Sequence, residues 1–81
     1  MKLVYLGCNG CEFQSLDISQ NEKLKKIWCA DNQIEELDLS NNTELSYLDC
    51  RLNKITTLNI SNNLELDDEN IKCDENVSII R

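Results

Sequence analysis

Hydrophobic residues recur along this chain in columns 21 residues apart. Leu3, Leu24 and Leu45 form one column, Leu6, Ile27 and Leu48 the next, and Cys8, Cys29 and Cys50 a third. Phe13, Ile34 and Ile55 keep the same step, as do Leu16, Leu37 and Leu58, Ile18, Leu39 and Ile60, and the polar column Asn21, Asn42 and Asn63. A fixed period in this range marks a stacked solenoid, in which each repeat is a coil that buries its apolar residues against its neighbours. The chain reads as one domain over 1–81, with coils at 3–23, 24–44 and 45–65 and a degenerate fourth coil and cap at 66–81. In the fourth coil Ile71, Cys73 and Asn76 repeat the spacing of Ile27, Cys29 and Asn32. Cys73 follows Cys50 by 23 residues, so two residues are inserted around Asp67–Glu69, and the period is expected to dissolve in the closing VSIIR.

Within a coil, the L-x-x-L-x-C half has the alternation of a strand. It points Ile27 and Cys29 inward and Lys26, Trp28 and Ala30 outward. Asn32, Asn53 and Asn76 come next and are expected to turn the chain: Asn tolerates unusual turn dihedrals, and its amide can bond the backbone of the adjoining coil where no water reaches. Cys11 takes this slot in the first coil. The second half, I-x-x-L-x-L-x-x-N, echoes the first at Ile34, Leu37, Leu39 and Asn42, and predicts a second asparagine ladder. No stretch sustains a helical period, so the far side is expected to be extended or built of short turns. One coil offers six core side chains (Leu24, Ile27, Cys29, Ile34, Leu37 and Leu39), too few to offset the ordering of its backbone, so stacking must complete the burial.

The opening of each coil, L-x-x-L-x-C-x-x-N-x-L with Ile, Phe and Cys as variants, resembles the leucine-rich-repeat signature. With Cys at the third apolar position and L-D-L-S-x-N after it, the chain is similar to the cysteine-containing 21-residue repeats of the bacterial internalin-J-like type. The likeness extends over about 75 of the 81 residues. It implies an α/β-type leucine-rich-repeat solenoid, mostly β and coil. About three and a half right-handed coils would carry a parallel sheet on the concave face, with little or no regular helix. It also implies a protein-interaction scaffold. Internalin-like proteins are typically long and exported, whereas this sequence shows no recognisable export signal and no cap domain. Its opening MKLVYLGCNG has too short an apolar run, and Leu3, Leu6 and Cys8 already obey the repeat. Met1 directly ahead of the first coil favours a free-standing miniature over a piece of a longer array.

Charge narrows the choice of partner. The net charge is -7, which disfavours nonspecific contact with nucleic acid or anionic lipid. Residues 1–30 carry four Lys against three acids, and residues 31–81 carry four Lys or Arg against twelve. No run is long and apolar enough to span a bilayer. Four of the five cysteines share one repeat position, and stacked side chains that point the same way suit a disulfide poorly. Reduced, buried thiols are expected, and with them a cytoplasmic location, or the extracellular surface if the chain belongs to a longer exported protein.

Candidate chemistry is sparse. Cys8 and Cys11 read as C-x-x-C, but each is explained by its own repeat position, there is no second pair at ligand spacing, and the chain has no His. The carboxylate pairs Glu35–Glu36, Asp67–Asp68 and Asp74–Glu75 fall at exposed positions or at the end, without a cleft to perturb them. No catalytic residue, cofactor or metal is expected, and the chain reads as a non-enzyme. The outward positions of the sheet are different. Three of the four aromatic residues fall there, beside charged ones, and Tyr5, Lys26, Trp28, Tyr47, Asp49 and Arg51 are the expected protein-binding residues. A second surface is expected where the first coil lacks a cover. Leu3, Leu6, Phe13, Leu16 and Ile18 would lie open on one side along an unpaired strand edge, inviting a homodimer or a partner. The alternative function is a small acidic inhibitor, an anti-CRISPR-like nucleic-acid mimic that blocks a basic site through the six acids between Glu65 and Glu75.

Overall fold

The period becomes a stack of coils. In the computed structural model, which describes residues 2–81 and leaves Met1 outside the described residues, β1 (Tyr5–Gly7), β2 (Lys26–Trp28) and β3 (Tyr47–Asp49) lie side by side. A second set follows: β4 (Thr57–Asn59), a 3-10 turn at Asp68–Asn70, β5 (Ile71–Lys72) and β6 (Ser78–Ile80). The main sheet is parallel with order β1-β2-β3-β5, and its register aligns Tyr5 with Lys26 and Tyr47, and Gly7 with Trp28, Asp49 and Lys72. On the far side β4 and β6 form a two-stranded parallel sheet. The earlier coils cross that side in short turns. Asp17 Oδ1 accepts from the Ser19 N–H at 3.0 Å, and Asp38 Oδ1 from the Ser40 N–H at 3.0 Å. Apart from the 3-10 turn, the described residues contain no helix.

The columns of the sequence are the core. Leu24, Ile27, Cys29, Ile34, Leu45, Leu48 and Leu58 are each completely buried. Burial weakens at the first coil, which has a neighbour on one side only. Leu3, Leu6 and Leu16 are half-buried there, and Phe13, placed in the core by its column, is 38% exposed. Ile18 departs in the other direction. Expected on the open edge, it is 2% exposed and packs within the core cluster, at the start of a turn closed by the Asn21 N–H on its carbonyl at 3.0 Å.

Asparagine supplies the polar interior. Asn32 Nδ2 lies 3.0 Å from the carbonyl oxygens of Cys8 and Cys29 and 3.2 Å from that of Ala30. Its Oδ1 accepts from the Cys11 and Phe13 N–H groups, both at 3.0 Å. Asn53 repeats the rung, donating to Cys29, Cys50 and Arg51 and accepting from Ile34. The third rung is not made. Asn76 is exposed, with no side-chain hydrogen bond among the described residues, and its neighbour's N–H, on Val77, turns back to the Asp74 carbonyl at 3.2 Å. Asp74 substitutes two positions earlier, its carboxylate accepting the Leu52 N–H at 3.0 Å. On the far side the second ladder forms: Asn42 donates to Ile18 and Asn21, and Asn63 to Leu39 and Asn42.

Two further expectations are corrected by the backbone. The period does not dissolve in VSIIR, because β6 pairs Thr57 with Ser78 and Leu58 with Ile79, a step of 21. The fourth coil takes in two residues before Ile71 and gives them up again between Lys72 and Ser78, so the two sides keep different counts. The asparagines are also not the residues in the unusual conformation. Gly10, Asp31 and Leu52, 21 apart and each preceding the turn slot by one, carry φ of 66°, 58° and 58°. The first coil, with Cys11 in place of Asn, adds Glu12 at 63°.

Leucine in the left-handed region is strained by its Cβ, at a cost of about 1–2 kcal/mol. Leu52 is 66% exposed, so little burial offsets that cost. Leu52→Asn is therefore expected to raise stability by about 0.5–1 kcal/mol, with Leu52→Gly gaining less because glycine frees the unfolded chain. Urea midpoints of the two variants against the parent measure the effect.

Candidate protein-interaction face

The outward side of the main sheet collects the residues singled out by the pattern. Parallel register places side chains of successive coils in columns about 4.8 Å apart, so outward residues two apart on neighbouring strands can touch. Trp28 and Tyr47 do so: their ring centroids are 5.6 Å apart with planes tilted by 40°. Both are half-buried, and the indole lies on the sheet's outer side rather than in the core. The position beside Trp28 in the first coil is Gly7, and a Cβ added there would meet nothing within 4 Å. The indole therefore has a supported side toward Tyr47 and an open side toward the first coil. Tyr5, 59% exposed, and Lys26, also exposed, border that open side.

Arg51 and Asp49 make a fixed polar element beside the aromatic pair. Arg51 Nε and Nη2 donate to Asp49 Oδ1 and Oδ2 at 3.0 and 2.8 Å, a bidentate fork, and the Arg51 N–H adds a longer bond to Oδ1 at 3.3 Å. The guanidinium hydrogen bonds hold the Asp49 carboxyl below the usual carboxylate range, and the same contacts raise Arg51. Asp49 is only 5% exposed. The outward position of Asp49 in its strand predicts a residue that a partner would touch. The structure instead makes it the anchor of Arg51, whose side chain is more than half exposed and carries the accessible charge. Leu52 was not among the expected contact residues. It follows Arg51 at the rim of the same face, apolar and exposed where other coils carry Gly10 and Asp31, and that break in the column was the available signal.

The thiols lie beneath this face. All five cysteines are free. Cys8, Cys29 and Cys50 are buried and Cys73 is half-buried, while Cys11 is exposed. Burial pushes Cys29 up to about 12, with Cys50 and Cys8 as secondary causes, and Cys50 is likewise pushed to about 12, with Cys73 next in importance. That chain of mutual influence is a cysteine ladder. Neutral thiols of this kind behave as small hydrophobes. At the C-terminal end, Arg81 pairs with Asp68, so one acid of the cluster is engaged by its own coil, and Lys72 Nζ donates to the backbone carbonyl of Glu69 at 3.0 Å. Among the described residues no helix is long and apolar enough to cross a membrane.

No protein-family model matches the chain, and no curated protein does. Among solved structures it is similar to the functional domain of InlJ from Listeria monocytogenes, which includes a cysteine ladder. The two share 24% identity at a TM-score of 0.54, over 91% of this chain and 25% of that one. This chain therefore corresponds to about a quarter of the length of that structure. The likeness shows the fold: a short leucine-rich-repeat solenoid, mostly β and coil.

Proposed function

We propose that this chain is a noncatalytic protein-binding module that engages its partner through the outer face of the main sheet, with Trp28 as the central anchor. The observation that carries the reading is the half-buried indole, braced by Tyr47 on one side and bordered by open space above Gly7 on the other. A large, rigid side chain held in one orientation loses little conformational freedom on binding, and this is why Trp, Tyr and Arg dominate interface energetics. Tyr5, Lys26, Tyr47 and Arg51 surround the anchor, with Arg51 already oriented by Asp49. Leu52 extends the apolar contact at the rim. The uncovered first coil (Leu3, Leu6, Phe13 and Leu16) is a second contact surface, for another copy of the chain.

The test is a parallel pull-down with the parent chain, Trp28→Ala and a Glu65→Gln/Asp67→Asn/Glu75→Gln variant, followed by calorimetric titration of the protein that Trp28→Ala fails to retain. Trp28→Ala is expected to weaken binding by about 2 kcal/mol or more, and binding by the parent is expected to persist at high salt. Affinity that collapses with salt and depends on the acids, while Trp28→Ala binds normally, rejects the reading in favour of a charge mimic.

A further inference from the structure

One column of the repeat is charged, and its order is informative. Lys2, Lys23, Glu44 and Glu65 occupy the same position in successive coils, each 21 residues from the last. Where opposite charges meet, they pair: Lys23 Nζ lies 3.2 Å from Glu44 Oε2. On either side of that pair, like meets like. Lys2 and Lys23 line one hollow of about 170 Å³ together with Leu3, Asn21 and Glu22, and Glu44 and Glu65 line another together with Lys25. Among the described residues neither Lys2 nor Glu65 makes an ion pair.

The two ends of the stack also match in their backbone and apolar surfaces. β1 has a free edge at the first coil, and β5 and β6 have free edges at the last. Leu3, Leu6 and Leu16 are half-buried at one end, as are Val77 and Ile79 at the other, where Ile80 is 48% exposed. Asn21 heads the column of the far-side ladder. Its counterparts Asn42 and Asn63 each donate to a carbonyl 24 residues earlier, whereas the half-buried Asn21 makes no side-chain hydrogen bond among the described residues.

We propose that copies of this chain stack head to tail, the fourth coil of one on the first coil of the next. The proposal rests on the reading of the first coil as a self-association surface and gives that surface its polarity. Because the far side returns to a step of 21 between Leu58 and Ile79, an incoming copy continues the same screw. Lys2 of the next copy then stands one rung beyond Glu65 and pairs with it as Lys23 pairs with Glu44. β1 of the next copy extends the main sheet beyond β5, and its Asn21 amide faces the carbonyl of Arg81. A symmetric contact between two first coils, or between two last coils, would instead leave Lys2 and Glu65 apart. A head-to-tail contact does not close on itself, so it builds oligomers larger than two.

Sedimentation velocity from micromolar to millimolar chain is the test, with circular dichroism confirming that each surface variant keeps its fold. The parent is expected to grow past dimer with concentration and to shrink as salt is added. Lys2→Glu and Glu65→Lys, each alone, are expected to weaken self-association by about fivefold, and an equimolar mixture of the two to recover it, because every junction is then again Lys against Glu. A mass that stops at dimer and is indifferent to Glu65→Lys overturns the polarity while leaving self-association standing. A parent that stays monomeric throughout overturns both.

Discussion

Asn32→Ala is expected to cost this protein at least about 4 kcal/mol, enough to leave much of the chain unfolded at room temperature. One amide serves three carbonyl oxygens and two N–H groups spread over two coils. Alanine removes every partner at once, and each buried backbone group left unpaired costs about 1–3 kcal/mol. Domains of this size are stable by about 5–15 kcal/mol, so several such losses approach the whole margin. Asn32→Asp is expected to fail nearly as badly, because a carboxylate can still accept from Cys11 and Phe13 but has no proton for Cys8 and Cys29. The comparison that isolates the mechanism is the series down the column. Asn53→Ala, with four bonds to lose, should be somewhat milder. Asn76→Ala, exposed and without a side-chain bond among the described residues, should stay within about 0.5 kcal/mol of the parent. Urea unfolding of the three variants measures the order. Equal losses at all three positions would show that the turn residue matters through its own conformation and not through the ladder.

That series also shows where the sequence was legible. Columns of Leu, Ile, Cys and Asn at a constant step report which side chains point inward, because inward positions admit few residue types. They located the main sheet, the cysteine ladder and the first two asparagine rungs. They failed at Asn76 because residue identity at a repeat position does not guarantee that the backbone still visits the same place. The insertion near Asp67–Glu69 displaces the chain, and the Val77 N–H closes on Asp74 instead. Counting from Cys73 also hid β6, since the far side keeps the step of 21 that the cysteines had abandoned. Alternation along a strand gives only a direction, outward or inward, for each side chain. It could not show that Asp49, pointing outward, would be buried by Arg51 two residues later, or that Trp28 would lean toward Tyr47. Leu52 was hidden for a different reason. A left-handed leucine violates local preference, so no reading based on preference could place it in that conformation. Such violations persist where something else maintains them, and here the site lies on the rim of the proposed binding face.

Raising the pH is expected to unfold the protein cooperatively between about pH 10 and 12, and the cause is the cysteine ladder. Burial raises Cys29 and Cys50 from an ordinary value of 9.0 to about 12, and raises Cys8 and Cys73 as well. The folded chain therefore holds these protons more tightly than the unfolded chain does. Below pH 9 both states are protonated and the stability contributed by the neutral thiols is complete. Above pH 9 the unfolded chain ionises first, and stability falls with each further pH unit until the folded thiols follow near 12. A rise of about three units corresponds to about 4 kcal/mol for one thiol. The two are neighbours that raise one another, so their contributions do not simply add, and a combined loss of about 4–6 kcal/mol is the reasonable expectation. Far-ultraviolet circular dichroism against pH gives the transition, and the Cys29→Ala/Cys50→Ala variant supplies the control: less stable at neutral pH for want of two buried sulfurs, but markedly flatter between pH 9 and 12. A thiol reagent adds a second reading on the parent. At neutral pH it should modify exposed Cys11 quickly and reach Cys29 and Cys50 only at the rate of global opening, since their thiolates scarcely exist in the folded coil. If the variant loses stability as steeply as the parent over that range, the alkaline transition has another origin, and the sulfurs act in the stack as apolar volume alone.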